Sequence, residues 1–377
     1  MGGAAGRAGG LRKVVAGESR ISSIDGERGV LAYAGIDIHA LAEQSGFEEV
    51  VFLLHEGRLP TRLELLGLRA ELAGARSVPA PVVALLRGLP GGTHPMTALR
   101  TAVSALGAFD PDAGDDSGPA RRRQARRLVA QMATLVALVD RLRRREEPVE
   151  PEPALSHAAN FLYMLEGARP LPTADRAMDV AFVLHADHEF NASTFAARVA
   201  ASTLADMHGA ITAAIATLKG PLHGGANEAV MQALETVGSP ERAEGFVREA
   251  MAAKRKIMGF GHAVYRTEDP RATHLRRLAK RLGEEGGDGR WYAISERIEQ
   301  VVRAEKGLYP NVDFYSASAY HVLGIPTDLF TPVFAASRVA GWTAHVLEQL
   351  GNNKLIRPES DYVGPRDVPY VPLDARS

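Results

Sequence analysis

Apolar residues recur at helical spacing along most of this chain. The clearest stripe lies within residues 121–145, where arginines stand at both ends. Its apolar positions fall three or four residues apart, which is the repeat of one helix face. They are Leu128, Met132, Leu135, Val136, Val139 and Leu142. Similar spacing predicts helices over residues 41–54 and 62–73.

A short β-element precedes these helices. Residues 14–24 and 30–38 flank residues 25–29, a glycine-bounded loop that predicts a hairpin. Breaks rich in Pro, Gly or acidic residues predict loops between the helices. They span residues 110–119, 148–153 and 283–289. Strands and helices do not alternate, there is no P-loop, and Gly259-Phe260-Gly261 lacks the third glycine of a dinucleotide fingerprint. The predicted fold class is therefore mostly α.

The longest apolar run predicts a buried helix and no membrane span. It extends from Phe195 to Leu218 and contains Arg198, Asp206 and His208, which a span would have to place in lipid. The head, Met1–Gly10, lacks the apolar central region of a secretory signal. Its Gly/Ala/Arg content is typical of a frayed terminus.

Composition narrows the function classes. A chain of 377 residues predicts two domains at roughly 150 residues each. Lys and Arg number 44 against 45 Asp and Glu, so no overall field attracts nucleic acid or an acidic membrane. Glu146 and Glu147 follow the arginine-rich helix, which favours a solvated surface there. The absence of cysteine excludes disulfides and zinc–cysteine sites and fits a cytoplasmic protein.

Three segments combine histidine or aspartate with glycine or apolar residues. Lys219–Glu228 holds His223 between Pro221-Leu222 and two glycines, which let another molecule approach the backbone. A histidine there can donate a hydrogen bond near neutral pH, although alone the segment also fits a helix stop. Met258–Arg266 carries His262, and Pro310–Ser316 carries Asp313.

In this order, the three segments resemble the active-site signature of the citrate synthase family. The resemblance covers nearly the whole chain through further segments. They are Ser19–Gly26, His94–Met96, His188–Ser193, Phe334–Trp342 and Arg357-Pro358. It implies a large helical domain, residues 1–224 and 325–377, with a smaller helical domain inserted at 225–324. It also implies condensation of acetyl-CoA with oxaloacetate and hydrolysis of the thioester, without cofactor or metal.

The resemblance assigns the catalytic roles. Asp313 matches the base that removes a methyl proton, and its apolar neighbours would make it more basic. The alternative is that Asp313 caps a helix beginning at Phe314. His223 matches the donor to the thioester oxygen, and His262 matches the residue that polarises and protonates the oxaloacetate carbonyl. The alternative for His262 is an ordinary loop histidine.

Three arginines match the family's carboxylate ligands: Arg271, Arg338 and Arg357. The planar guanidinium suits the two carboxylates of oxaloacetate. The helical neighbours of Arg338 are apolar or small, so its charge needs a partner, and an internal salt bridge is the alternative. Arg357 resembles the arginine supplied by the other subunit, which implies a homodimer with shared sites.

The remaining candidates have two interpretations each. His188 resembles a further oxaloacetate contact, but His185 three residues earlier also suggests a helical metal pair. No third and fourth ligand lie at recognisable spacing, which disfavours the metal. The cluster Lys254-Arg255-Lys256 either binds the phosphates of CoA or forms a solvated helix end.

Two rival functions remain open at this point. A 2-methylcitrate synthase would use propionyl-CoA with the same catalytic residues, and pockets discriminate one methylene by only ~1–3 kcal/mol. No residue of the sequence decides between the acyl groups. A non-catalytic helical protein with a metal-binding or scaffolding role would be marked by loss of a catalytic residue, and His223, His262 and Asp313 are all present.

Overall fold

A computed structural model describes residues 14–376 of the chain. These residues are mostly α-helical, which confirms the predicted fold class. The head Met1–Gly10, predicted to be a frayed terminus, lies outside the described residues. No helix within residues 14–376 has the length and apolar character that crossing a membrane requires.

Sixteen α-helices follow a small sheet within the described residues. The first eight are α1 (Ile38–Gln44), α2 (Phe47–Glu56), α3 (Arg62–Gly74), α4 (Ala80–Arg87), α5 (Pro95–Leu106), α6 (Gly118–Arg143), α7 (His157–Glu166) and α8 (Pro172–His185). The others are α9 (Ala192–Ser202), α10 (Met207–Leu218), α11 (Ala226–Val237), α12 (Pro240–Ala252), α13 (Pro270–Gly286), α14 (Arg290–Lys306), α15 (Val312–Val322) and α16 (Phe330–Gly351).

The N-terminal β-element is a three-stranded antiparallel sheet in the order β1 (Ser22–Asp25), β2 (Val30–Tyr33) and β3 (Ile36–Asp37). Asp25 pairs with Val30, so the hairpin loop lies where the glycines predicted it. The predicted strands were too long, since residues 14–21 lie outside the sheet and a turn at Ala34 and Gly35, both with positive φ, separates β2 from β3.

Three helix boundaries differ from the sequence prediction. The helix predicted over residues 41–54 is two helices, because α1 ends before Ser45-Gly46 and α2 begins at Phe47. The apolar run 195–218 is also two helices, α9 and α10, because the Asp206 side chain accepts the N–H of Gly209 and starts a new helix. Conversely, the loop predicted over 283–289 is shorter, since α13 continues to Gly286.

The core is centred on α16, which packs against α2, α6, α8, α9 and α10. Almost all of its side chains are buried, including Arg338 and Trp342. The predicted stripe of α6 faces this core, and its members from Leu128 to Val139 are buried while Leu142 is half-buried. The interior therefore includes the face that the apolar spacing identified, and α6 is buried on other faces too, since Val129 and Leu138 are also buried.

A second group of helices, α11 to α15, packs largely within itself. Its main contacts join α13 to α15, α12 to α14 and α11 to α15. These helices lie inside residues 225–324, the range that the resemblance assigns to an inserted domain. The division into two domains remains a prediction.

Candidate active site

The second and third signature segments are joined to each other by backbone hydrogen bonds. Gly261 N–H donates to the Tyr309 carbonyl at 3.0 Å, and Asn311 N–H donates to the Gly259 carbonyl at 2.9 Å. Gly259 has φ +81°, and a Cβ there would lie 2.8 Å from the Phe314 ring. Only glycine fits this position. The pairing brings the loop that carries His262 to the first turn of α15.

Asp313 stands in the first turn of α15 without capping it. Asn311 is the cap, because its side-chain oxygen accepts the N–H of Asp313 at 3.0 Å. The alternative of an Asp313 cap for a helix beginning at Phe314 is therefore wrong. Among the described residues the Asp313 carboxylate has no hydrogen-bond or ion-pair partner. Burial raises its pKa to about 6, although the nearby Arg271 opposes the shift.

The ring of His262 is fixed by its own loop. Its Nδ1 accepts the N–H groups of Val264 at 3.0 Å and Tyr265 at 3.2 Å. Burial, with the charge of Arg271, lowers the pKa of His262 to about 4, so the ring is neutral at pH 7. Because Nδ1 is an acceptor, the single ring proton is on Nε2. His262 is thus a neutral Nε2–H donor.

His223 lies in the turn between α10 and α11 and has the opposite tautomer. Its Nε2 accepts the backbone N–H of Ser193 at 3.2 Å and contacts the Ser193 hydroxyl at 2.8 Å. That hydroxyl accepts the indole N–H of Trp342 at 3.1 Å. Burial, with the charge of Arg338, lowers the pKa of His223 to about 4. His223 is therefore neutral at pH 7 and carries its proton on Nδ1.

Two of the three predicted arginines, Arg271 and Arg338, are buried close to Asp313 and the two histidines, and they differ in whether a carboxylate lies beside them. Arg271 pairs with Asp269 through two hydrogen bonds of 2.9 and 2.8 Å. Arg338 donates Nε–H to the His185 carbonyl at 2.6 Å and lies over the Phe334 ring. No carboxylate lies within ion-pair distance of Arg338 in the part of the chain described here. The internal salt bridge considered for Arg338 is instead a property of Arg271.

His188 is buried between the two groups of helices. Its Nε2 lies 3.2 Å from the Tyr265 hydroxyl, and its ring centroid lies 5.2 Å from that of His262. His185 does not share this environment, because its Nδ1 donates to the Ala181 carbonyl at 2.7 Å and its ring packs on Phe334. Within residues 14–376 no group of three or more potential metal ligands is found.

The remaining predicted residues are not brought to this site within the chain. Arg357 is exposed in the stretch that follows α16. Lys254, Arg255 and Lys256 are exposed after α12, where Arg255 pairs with Glu249 at 2.7 Å. Their roles remain predictions.

The structure adds three residues to which sequence reasoning gave no role. The backbone N–H of Ser193 sets the tautomer of His223, and Trp342 donates to the Ser193 hydroxyl that contacts the same ring. Tyr265 links the His262 loop to His188. All three lie inside segments that carry the resemblance. Their functions depend on contacts between distant segments, so spacing along the chain does not predict them.

Comparisons with known proteins agree on the family. The family model "Citrate synthase, C-terminal domain" matches residues 10–359. Citrate synthase 2 of Bacillus subtilis is 50% identical over 369 residues, which cover 98% of this chain and 99% of that protein. The 2-methylcitrate synthase of Shewanella oneidensis is 41% identical, with 97% of each chain covered.

Solved structures give the same result for the fold. The crystal structure of citrate synthase from Pyrobaculum aerophilum has a TM-score of 0.91 and 44% identity, covering 97% of this chain and 94% of that one. The ternary complex of carboxymethyl coenzyme A and oxaloacetate with citrate synthase from Thermoplasma acidophilum has a TM-score of 0.91 at 34% identity, covering 97% and 98%. The chain belongs to the citrate synthase family, whose members are acyltransferases.

Proposed function

We propose that this chain condenses acetyl-CoA with oxaloacetate and hydrolyses the product to citrate and CoA. The observation that carries the proposal is the set of one carboxylate and two neutral imidazoles with opposite tautomers, placed among buried arginines. Such a set supplies a proton acceptor for carbon and two hydrogen-bond donors for oxygen. These are the groups that an enol-forming condensation requires.

The proposed chemistry proceeds in three steps. The Asp313 carboxylate takes a methyl proton from acetyl-CoA while His223 Nδ1–H stabilises the negatively charged thioester oxygen of the resulting enolate, and this enolate carbon is the nucleophile of the next step. The enolate carbon attacks the ketone carbon of oxaloacetate, the ketone oxygen takes the Nε2 proton of His262, and a carbon–carbon bond forms. Water then cleaves the thioester of citryl-CoA, with OH joining the acyl carbon and H joining the CoA sulfur. CoA and citrate leave, and the proton held by Asp313 replaces the one that His262 gave up.

The pKa values support these roles. With a pKa of about 6, Asp313 is a stronger base than an ordinary aspartate and is still ionised at pH 7. Both histidines have a pKa of about 4, so each is neutral and donates without first losing a proton to solvent.

Oxaloacetate is proposed to bind between Arg271, Arg338 and His188. Arg338 lacks a carboxylate partner among the described residues, so a substrate carboxylate would supply the missing counter-charge. Arg271 is already paired with Asp269, but its fork has further N–H groups for a second carboxylate.

The acyl group is proposed to be acetyl. Relatives at 50, 47 and 46% identity are named citrate synthases, one at 44% is named citrate/2-methylcitrate synthase, and the 2-methylcitrate synthase is at 41%. The test is a competition between acetyl-CoA and propionyl-CoA with oxaloacetate, followed by CoA release. We expect a higher kcat/KM for acetyl-CoA. A higher value for propionyl-CoA would make the chain a 2-methylcitrate synthase.

We further propose a cytoplasmic homodimer in which Arg357 reaches the partner's oxaloacetate and Lys254, Arg255 and Lys256 contact CoA phosphates. Arg357 is exposed in the stretch after α16, which supports a role across an interface. Mixing inactive Asp313→Asn subunits with inactive Arg357→Ala subunits tests this, because a mixed dimer has one site with both groups intact only if Arg357 acts across the interface. Verified mixed dimers as inactive as the parents would place Arg357 elsewhere.

A further inference from the structure

The N-terminal hairpin contacts the loop that carries His188. The Ser22 hydroxyl donates to the Asp187 carboxylate and accepts the N–H of Glu189 at 3.0 Å. One pleat further, Ile24 N–H donates to the Glu189 carboxylate at 2.7 Å. Strand β1 is therefore hydrogen-bonded to the residues on both sides of His188.

The tip of the same hairpin contacts the loop that carries His262. The Gly26 carbonyl accepts the N–H of Arg266 at 2.8 Å. A Cβ at Gly26 would overlap with the carbonyl of Val264, although the φ of Gly26 is one that alanine also adopts. The Asp25 carboxylate accepts the N–H groups of Glu27 and Arg28 at 3.1 and 3.0 Å, which fixes the tip. The close contact between the hairpin tip and the His262 loop therefore requires glycine at position 26, because a side chain there would collide with the Val264 carbonyl.

Three consecutive N–H groups connect this contact to the histidine ring. Those of Val264 and Tyr265 donate to His262 Nδ1, and that of Arg266 donates to the hairpin tip. A displacement of the tip would therefore move the groups that fix the His262 tautomer. The hydroxyl of Tyr265, the middle residue of these three, lies 3.2 Å from His188 Nε2.

We propose that the β1–β2 hairpin is a positioning element for oxaloacetate, with Gly26 and Ser22 as its positioning residues. It bridges two loops far apart in sequence and fixes the relative placement of the His188 and His262 rings. This inference rests on the proposed function, since both rings are assigned there to oxaloacetate. Neither positioning residue contacts the reacting atoms.

The main test is Gly26→Ala, with Gly91→Ala as the matched control. A Cβ at Gly91 would meet no atom within 4 Å, and that glycine also lies in a loop outside the left-handed region. We expect Gly26→Ala to lower kcat/KM for oxaloacetate by about 10²-fold, the scale of a 1 Å misplacement. The KM for acetyl-CoA and the melting temperature should stay close to those of Gly91→Ala, which itself should match the wild type.

A second pair of variants tests the other end of the hairpin without introducing bulk. Ser22→Ala removes the hydroxyl, and Ser22→Thr retains it on a residue that strands favour. We expect Ser22→Ala to raise the oxaloacetate KM roughly tenfold, the scale of one hydrogen bond to a charged group, and Ser22→Thr to restore it.

The wild-type assay separates the two possible failures. If the wild type releases no CoA from acetyl-CoA and oxaloacetate, the proposed function is wrong and the inference falls with it. If the wild type is active and both Gly26→Ala and Ser22→Ala retain its oxaloacetate kcat/KM, the hairpin does not position the site. An equal rise of both substrates' KM values, or no rescue by Ser22→Thr, would also overturn the inference.

Discussion

His223 and His262 differ in what holds them. His223 accepts at Nε2 from the backbone N–H of Ser193, which lies 30 residues earlier on α9. His262 accepts at Nδ1 from two N–H groups of its own loop. In both cases main-chain groups select the tautomer, so the donor that faces a substrate is set by the path of the backbone. The first ring depends on tertiary packing, and the second depends on the conformation of one loop.

The difference extends to two walls of the site. The first wall consists of Arg338, which lies on α16, and of His188 and His223, which follow α8 and α10, two helices packed against α16. The second wall is His262, Arg271 and Asp313, all within residues 225–324. Counting only partners within residues 14–376, the first wall contains a buried cation, Arg338, with no carboxylate beside it. The second contains the buried Arg271–Asp269 pair and the carboxylate of Asp313, which no described residue pairs with. The predictions below separate the walls, beginning with the largest expected effect.

Replacing Asp313, the proposed base in the second wall, should have the largest effect on catalysis. Asp313→Asn should lower kcat by ~10²–10⁴-fold, because a positioned proton acceptor is lost. The variant should fold and bind oxaloacetate, since it removes a carboxylate that burial disfavours. Single-turnover CoA release and thermal unfolding check both parts. More than a tenth of the wild-type kcat would refute the role of Asp313.

The two arginines should respond differently to the same substitution. Arg338→Gln should raise the oxaloacetate KM by about 10- to 150-fold, the range for a charge-assisted hydrogen bond of 1.5–3 kcal/mol, without loss of stability. Arg271→Gln should cost about 3–5 kcal/mol of unfolding free energy, because it leaves Asp269 buried without its partner. Steady-state kinetics and urea unfolding, both measured on each of the two variants, test these expectations. Equal stability losses in both variants would contradict the proposed difference.

Acid should destabilise both walls through buried histidines, and it should act on the second wall through Asp313 as well. Burial lowers the pKa of His185 to about 3 and that of His188 well below 6.5, so the unfolded chain binds protons below pH 6.5 that these folded groups do not. Stability is thus present above pH 6.5 and lost as pH falls, by about 1.4 kcal/mol per pH unit for each such histidine once it is fully protonated when unfolded.

Asp313 acts in the opposite direction on stability, because its raised pKa lets the folded chain retain a proton between about pH 4 and 6. That same proton blocks the base, so kcat/KM should fall below pH 6 before the protein unfolds. Urea midpoints and kcat/KM measured from pH 8 to 5 resolve the two effects. A urea midpoint that is unchanged at pH 5 would show that the buried histidines become protonated without unfolding.

The smallest expected effect is that of chelation. Activity should survive exhaustive treatment with EDTA, because His223 and His262 are proposed to stabilise the oxygens that develop charge. Metal content and activity are measured on the same sample before and after treatment. Loss of activity with recovery on adding a divalent ion would favour the His185–His188 metal pair instead.

Sequence patterns identified the mostly helical fold class, the segments that form α1, α2, α3, α6, α9 and α10, and the three signature segments. Their limits have physical causes. The stripe of α6 is visible because its large apolar residues recur at helical spacing, although residues 128–140 are buried on nearly every side of the helix. The division between α9 and α10 depends on one capping side chain, Asp206, inside an apolar run, so periodicity alone missed it. The role of Ser193 depends on a contact across 30 residues, and no local pattern encodes it.

The position of Trp342 makes its fluorescence a reporter for the site. The chain has two tryptophans, and Trp291 lies on α14, where it packs against His321 and Arg290. The indole N–H of Trp342 instead donates to the Ser193 hydroxyl that contacts His223. In a Trp291→Phe background, the remaining fluorescence would come from an indole two hydrogen bonds away from the proposed thioester site. The emission of that single fluorophore would report on ligand arrival at His223 without any attached dye.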